Sequence, residues 1–341
     1  MSIGGSYLTH PSSFALRRRA LAIALGLTAA GGCAIWLASS NMHAVLRAAE
    51  HADPRLALLA GGGFALSLVA TAFAWRRAFA AVGAGVSRAD SCARYAAGSL
   101  VNTVSPARLG DAVRLGLFSR ALPSNGRVLA AAGALAALAL TRALVNGLVL
   151  VVGAAIGAVP LLPLLAIALA GSAVIAALSF LRRLRRGRVR RLAAVIAALL
   201  LQPRLAGGLA GWAMVAVLAR IVATAAIVSA LGVPHPLVMA IGVTAALDVA
   251  ALLPLTPGGI GITSGAVSVV LVTRGVGAAN AVGAGLLFHA VETLASLAFV
   301  AVALALQTHE QLAQRPALRL AGVAAVVASL AGVASVALDI A

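Results

Sequence analysis

The sequence contains no lysine: all 26 of its basic residues are arginine. A P-loop places a lysine on the nucleotide phosphates, so no Walker A site exists here. A lysine Schiff base is excluded on the same ground. Acids are scarce, with eight Asp and Glu in 341 residues, and aromatics make up only 4%. The two cysteines, Cys33 and Cys92, stand in or beside apolar segments with no CxxC or Cys/His pattern. That excludes a zinc module and a disulfide framework, and both read as small buried hydrophobes.

What is present is apolar. Hydrophobic residues make up 62% of the chain, charged residues 10%, and the mean hydropathy is +1.07. A soluble domain has no use for so much apolar surface, and the long continuous runs do not fit the short alternating strands of a β-barrel. The composition predicts an all-α, polytopic helical membrane protein with about seven to nine spanning segments at roughly 20 residues each. The formal charge of +18 suits a cytoplasmic face against anionic lipid. Its arginines flank apolar spans, and no soluble basic domain is present to carry nucleic acid.

Residues 1–16 read as a polar, disordered cytoplasmic tail and 17–341 as a single transmembrane domain. Arg17, Arg18 and Arg19 precede a span from Ala20 to Ser40, longer than the core of a cleaved signal, so the N-terminus is expected inside. A second span covers Leu56 to Trp75, and Arg76 and Arg77 return the chain to the cytoplasm. Residues 78–97 are expected to lie on the cytoplasmic surface. Val128 to Val159 would measure about 48 Å as one helix, against a core of about 30 Å. The expectation is therefore two pieces, parted near Thr141. Leu164 to Leu181 returns inside to RRLRRGRVRR at 182–191, the strongest topological marker, read as a cytoplasmic loop joining halves 17–181 and 192–341. An interfacial piece at 192–201, a span at 205–231, a helix from Leu237 broken after Leu253, a half-helix to Thr273, a span at 278–306, a polar loop at 307–315 and a last span at 318–338 complete the reading. Gly153/Gly157, Gly207/Gly211 and Gly261/Gly265 match GxxxG and suggest close helix packing.

Two stretches interrupt the apolar pattern. In NTVSPARLGDAVR, Asn102 leads to Pro106, Arg108, Gly110, Asp111 and Arg114. Ser105 suits an N-cap with Pro106 in the first turn. Arg108, Asp111 and Arg114 fall three apart, on one side of a helix. An arginine in the membrane needs a partner or water, and Asp111 is placed to supply one. Two arginines against one aspartate leave a positive site suited to a phosphate headgroup. The bland alternative is an interfacial helix whose arginines snorkel to water. In LPLTPGGIG, Pro254 and Pro257 stop one helix, while Gly258, Gly259 and Gly261 permit close backbone approach. Thr263 or Ser264 is expected to cap the next half-helix, whose N-terminus would favour an anion; a packing kink is the alternative.

The remaining intramembrane ionisable groups are Arg142, Arg220, Asp248, His289 and Glu292. The two acids and the histidine could relay protons or neutralise Arg142 or Arg220. A charge network that fixes helix positions is at least as good a reading. Their spacing makes no metal site, and no cofactor is expected.

At these two motifs the chain resembles the lysylphosphatidylglycerol synthase transmembrane-region family, which includes flippase-like membrane proteins. The resemblance covers about residues 20–305. It implies broken or re-entrant helices at a central cavity, and movement of lipids between leaflets. Synthesis in this family belongs to a separate soluble domain, which a chain ending at 341 is not expected to carry, so no enzyme activity is expected. Departures are Val145 and Asn146 where members often place an acid, and His289 where many place an arginine.

The leading expectation is a flippase-like protein of the bacterial inner membrane that binds an anionic phospholipid or lipid-linked headgroup. Its cavity would be formed by Arg108, Asp111, Arg114 and the 257–264 turn. One alternative is an accessory subunit presenting a lipid-linked substrate to a glycosyltransferase or lipid-modifying partner. A secondary permease for a small anion is the other.

Overall fold

The computed structural model describes residues 53–104, 109–124, 126–159, 187–250 and 260–314. Their regular structure is helical: α1 Pro54–Ala80, α2 Arg88–Val104, α3 Leu109–Ser119, α4 Arg127–Ala155, α5 Gly187–Leu200, α6 Pro203–Ala230, α7 Pro236–Ala250, α8 Ile260–Thr273 and α9 Ala278–Gln314. Local chemistry sets several of the starts. The Asp53 carboxylate accepts from Arg55 N at 2.8 Å ahead of Pro54, and Ser87 Oγ accepts from Asp90 N at 3.0 Å at the head of α2. Proline also opens α6 and α7, at the position where its missing N–H costs nothing.

Among the described residues, four helices are long and apolar enough to cross a membrane: Pro54–Ala80, Arg127–Ala155, Pro203–Ala230 and Asn280–Gln307. Their outward faces carry large apolar side chains, with Leu58 78% and Leu144 71% exposed. In water such surface would be a liability; against lipid tails it is the ordinary exterior. The expected spans at 20–40, 164–181 and 318–338 lie outside the described residues.

Helix directions follow from contacts. α1 and α6 run antiparallel, with Arg77 Nη2 donating to Arg204 O at 2.7 Å at one end. Towards the other, a Cβ on Gly63 would lie 2.9 Å from Ala219 O and from Ala223 Cβ. The end holding Ala80 and Pro203 is called the near end, and that holding Pro54 and Ala230 the far end. α4 runs from near to far and α9 from far to near, where Gln307 Nε2 donates to Asp90 Oδ1 at 3.3 Å.

The short helices form two hairpins. α2 starts at the near end, and α3 returns beside it: Gly110 N donates to Asn102 Oδ1 at 2.7 Å and Arg94 donates to Leu117 O. α7 starts at the far end and α8 returns there. Arg274 Nη2, just beyond α8, donates to Gly157 O at 2.7 Å and Ala158 O at 2.8 Å at the end of α4. With 17 and 11 residues in one hairpin and 15 and 14 in the other, the helices measure only about 17–26 Å, short of a crossing. The described limbs of the two hairpins therefore start from opposite ends of the bundle.

Apolar packing falls into two main bodies. The near one gathers Trp75, Phe79, Phe118, Leu138, Leu209 and Phe299, with Phe79 and Phe118 ring centroids 5.2 Å apart. The far one gathers Phe64, Ile227, Val243, Leu271 and Phe288, with Phe64 and Phe288 in an edge-on pair at 5.2 Å. Polar and charged side chains lie at the depth between them.

Several expectations are corrected. α4 is one continuous helix of 29 residues, not two. No proline or cap interrupts it near Thr141, and a tilted or protruding helix accommodates the extra length. Residues 307–314 continue α9, and 187–191 begin α5 instead of forming a loop. The 88–97 stretch is the first limb of a hairpin, with Tyr95 and Ala96 buried against neighbours. Of the GxxxG matches, Gly207 and Gly211 face open space and Gly157 lies beyond α4 with φ +71°. Gly153 does sit at a close crossing, where a Cβ would meet Ile241 Cγ2 at 2.7 Å, and further tight crossings include Gly63 against Ala219 and Ala223 and Gly208 against Arg77.

Candidate functional site

The first motif holds its hairpin together. Arg114 is only 7% exposed, and its side chain turns back onto α2. It pairs with Asp111, donates from Nη2 to Ser99 Oγ at 2.8 Å and from Nε to Tyr95 O at 3.3 Å, and stacks 3.9 Å from the centroid of the Tyr95 ring. A buried guanidinium needs such a full set of partners. Space for it comes from glycine: a Cβ on Gly98 would sit 2.6 Å from Gly110 O, and one on Gly110 would collide with Gly98 O and the Asn102 amide. Asp111 thus pairs with Arg114 as its spacing suggested, Asn102 meets Gly110 across the hairpin, and Arg114 is fully engaged. Pro106 and Arg108 lie outside the described residues.

In the second motif, Pro257, Gly258 and Gly259 also lie outside the described residues. Gly261 is exposed and Thr263 half-buried. α8 starts at Ile260, so Thr263 and Ser264 lie inside the helix and do not cap it; an N-cap requires non-helical backbone. Ser268 Oγ links α8 to α9 by donating to Ser264 O at 2.7 Å or Ala281 O at 3.0 Å.

The more open polar site lies elsewhere, at mid-depth. A pocket is walled by Ser67 and Thr71 of α1, Arg142 and Asn146 of α4, Val217 and Arg220 of α6, and Thr244 and Asp248 of α7. Asp111, Arg114, Gly261 and Thr263 do not line it. Arg220 stands 3.8 Å from Asp248 and 3.6 Å from Glu292, tying α6 to α7 and α9. Asn146 Nδ2 donates to Asp248 Oδ2 at 2.9 Å. Of the two arginines considered for neutralisation, it is Arg220 that the acids meet. Arg142 is exposed on the pocket side of α4 and makes no hydrogen bond or ion pair with the described residues.

Three buried polar atoms on this wall have no hydrogen-bond partner among the described residues: Asn146 Oδ1, Arg220 Nε and Thr244 Oγ1. One turn before Glu292, His289 Nε2 lies 3.4 Å from Thr293 Oγ1, and its Nδ1 is likewise buried and unpartnered. Buried polar atoms are ordinarily satisfied, so a wall holding several unmet ones is suited to receive polar atoms from water or a ligand. Sequence reasoning overlooked Asn146 and Thr244 as site residues. An asparagine inside an otherwise apolar span was the available signal.

Apolar spanning helices, two hairpins from opposite ends and a charged layer at mid-depth define a multi-pass helical membrane protein built around an internal polar site. Residues 20–299 match the family model described as the lysylphosphatidylglycerol synthase TM region, and the chain belongs to that family. No curated protein and no solved structure matches it.

Proposed function

We propose that this protein is flippase-like, binding the headgroup of an anionic phospholipid or lipid-linked compound at the mid-depth pocket and passing it between leaflets while the tails stay in lipid. The observation that carries this reading is Arg142: a guanidinium on the pocket wall, at the middle of a spanning helix, with no partner among the described residues. Such a charge in the membrane favours a counter-charge, and paired N–H donors suit phosphate. Opposed hairpins supply the two faces that alternating access requires.

Orientation follows the positive-inside rule. Arg76, Arg77, Arg88, Arg120, Arg127 and Arg204 belong to the near end, against Arg55 and Arg274 at the far end. On this reading the near end is cytoplasmic, in a bacterial inner membrane.

The test is reconstitution in liposomes with fluorescent anionic phospholipid, following its accessibility at the outer leaflet. Wild type is expected to move the lipid, and Arg142→Gln to slow it at least tenfold while remaining folded. Arg108→Ala, run alongside, reports on the first motif. Wild-type rates in Arg142→Gln would remove the pocket from the mechanism. A folded wild type that moves no anionic lipid would leave the presenting accessory role.

A further inference from the structure

Two neutral side chains on the pocket wall ask for more than an anion. Asn146 is the first. Its Nδ2 donates to Asp248 Oδ2 at 2.9 Å, and an ionised carboxylate only accepts, so the amide is fixed in one orientation. Asn146 Oδ1 is therefore an acceptor, buried with no hydrogen-bond partner among the described residues. Thr244 is the second. Of the buried threonines among the described residues, Thr71, Thr141 and Thr224 donate to the carbonyl one turn back, at 2.8, 2.9 and 2.8 Å. That is the usual way a hydroxyl is satisfied inside a helix. Thr244 is only 3% exposed, yet its Oγ1 has no partner among the described residues. Both side chains line the pocket with Arg142 and Arg220. A bare phosphodiester does not complete this set. Its oxygens only accept, which suits Arg142 and the unmet Arg220 Nε, but they would leave Asn146 Oδ1 facing another acceptor. That atom needs an O–H or an N–H. A buried acceptor left unmet is costly, so a wall of this kind discriminates against a ligand that brings no donor. Thr244 Oγ1 both donates and accepts, so it suits a second hydroxyl or a phosphate oxygen. The neighbours decide which donor fits. An ammonium would stand beside two guanidinium groups, and the acid at this point, Asp248, is already engaged by Asn146 and Arg220. A neutral hydroxyl meets no such repulsion.

We propose that the pocket selects a lipid whose phosphodiester headgroup carries a free hydroxyl, as a polyol or a sugar does. The phosphate rests on Arg142, the hydroxyl donates to Asn146 Oδ1, and Thr244 Oγ1 takes the next polar atom of the headgroup. Asn146 and Thr244 are thereby specificity-determining residues. This inference rests on the flippase reading and adds the class of headgroup.

The experiment uses the full chain in liposomes, with three probes that share a short fluorescent acyl chain, and albumin extraction as the readout. Phosphatidylglycerol carries hydroxyls. Phosphatidylpropanol has the same charge and the same carbon chain without them. Phosphatidylserine keeps the net charge but offers N–H donors in their place. Phosphatidylglycerol is expected to move about tenfold faster than either of the others, the scale of one buried acceptor met or left unmet. Equal rates for phosphatidylglycerol and phosphatidylpropanol overturn the selection and leave the flippase reading standing. Phosphatidylserine that keeps pace with phosphatidylglycerol overturns the choice of hydroxyl over ammonium. Failure of all three to move, with folded protein, overturns both readings. Thr244→Val removes a hydroxyl that makes no bond among the described residues, so the variant is expected to keep its unfolding midpoint while the preference for phosphatidylglycerol falls to about twofold or less. Asn146→Leu is expected to lower the same ratio. A tenfold preference retained in both variants would refute the assignment to these residues.

Discussion

Substituting Gly110 by alanine tests the structural core of the first motif. The added methyl group would meet Gly98 O and the Asn102 amide, including Asn102 Cγ at 2.6 Å. Neither obstacle can rotate aside cheaply: one is helix backbone, and the other is held by its own bond to Gly110 N at 2.7 Å. α3 must therefore move away from α2. That strains or breaks the Asn102 bond, worth about 0.5–1.5 kcal/mol, and adds an overpacking cost of about 1–3 kcal/mol. Alanine's better helix propensity returns about 1 kcal/mol, so the net loss is about 1–3 kcal/mol. Arg114, buried on the same crossing, would lose its fit to Ser99 and Tyr95 and push the loss towards the upper figure. Gly116→Ala is the control. It lies on the same helix with nothing within 4 Å of where its Cβ would sit, so it should be neutral or slightly stabilising. Thermal unfolding of purified protein, followed by gel-filtration fluorescence, should lower the midpoint by several degrees for Gly110→Ala and not for Gly116→Ala. Equal midpoints would refute the claim that the hairpin limbs touch at Gly98 and Gly110.

Arg220→Gln removes the cation that Asp248 and Glu292 share. All three side chains are about a third exposed or less, so the loss should be about 1–3 kcal/mol, below that for fully buried pairs, and should appear as a lower unfolding midpoint; an unchanged midpoint would show the pairing to be idle. Arg274→Ala removes the bonds to Gly157 O and Ala158 O. Hydrogen exchange should quicken at the ends of α4 and α8 and stay unchanged at α2 and α3. In a background free of Cys33 and Cys92, an impermeant thiol reagent should reach His235→Cys and Thr273→Cys from one side of the membrane and Ser124→Cys from the other. Labelling of the first two from opposite sides would mean that α7 and α8 cross the membrane instead of folding back.

Residue order alone settles the class of this protein. Long apolar runs admit only membrane helices, the absence of lysine removes whole groups of chemistry, and proline with glycine near 106 and 257 marks places where helices must stop. These are one-dimensional constraints of solvation and backbone geometry, so the linear sequence carries them. The ends of α6 and α8 are legible in it for that reason. The unbroken α4 is not, because length alone does not reveal tilt. Which charges meet is a matter of packing in three dimensions. Arg114 and Asp111 share a helix and can be paired by spacing. By contrast, Arg220, Asp248 and Glu292 come from three helices, and their meeting depends on how α7 folds back between α4, α6 and α8. The same packing gives Asn146 and Thr244 a place on the pocket wall, seals Arg114 against Tyr95 and leaves Arg142 open. Those outcomes follow from helix rotation and depth, which the order of residues along one chain does not specify.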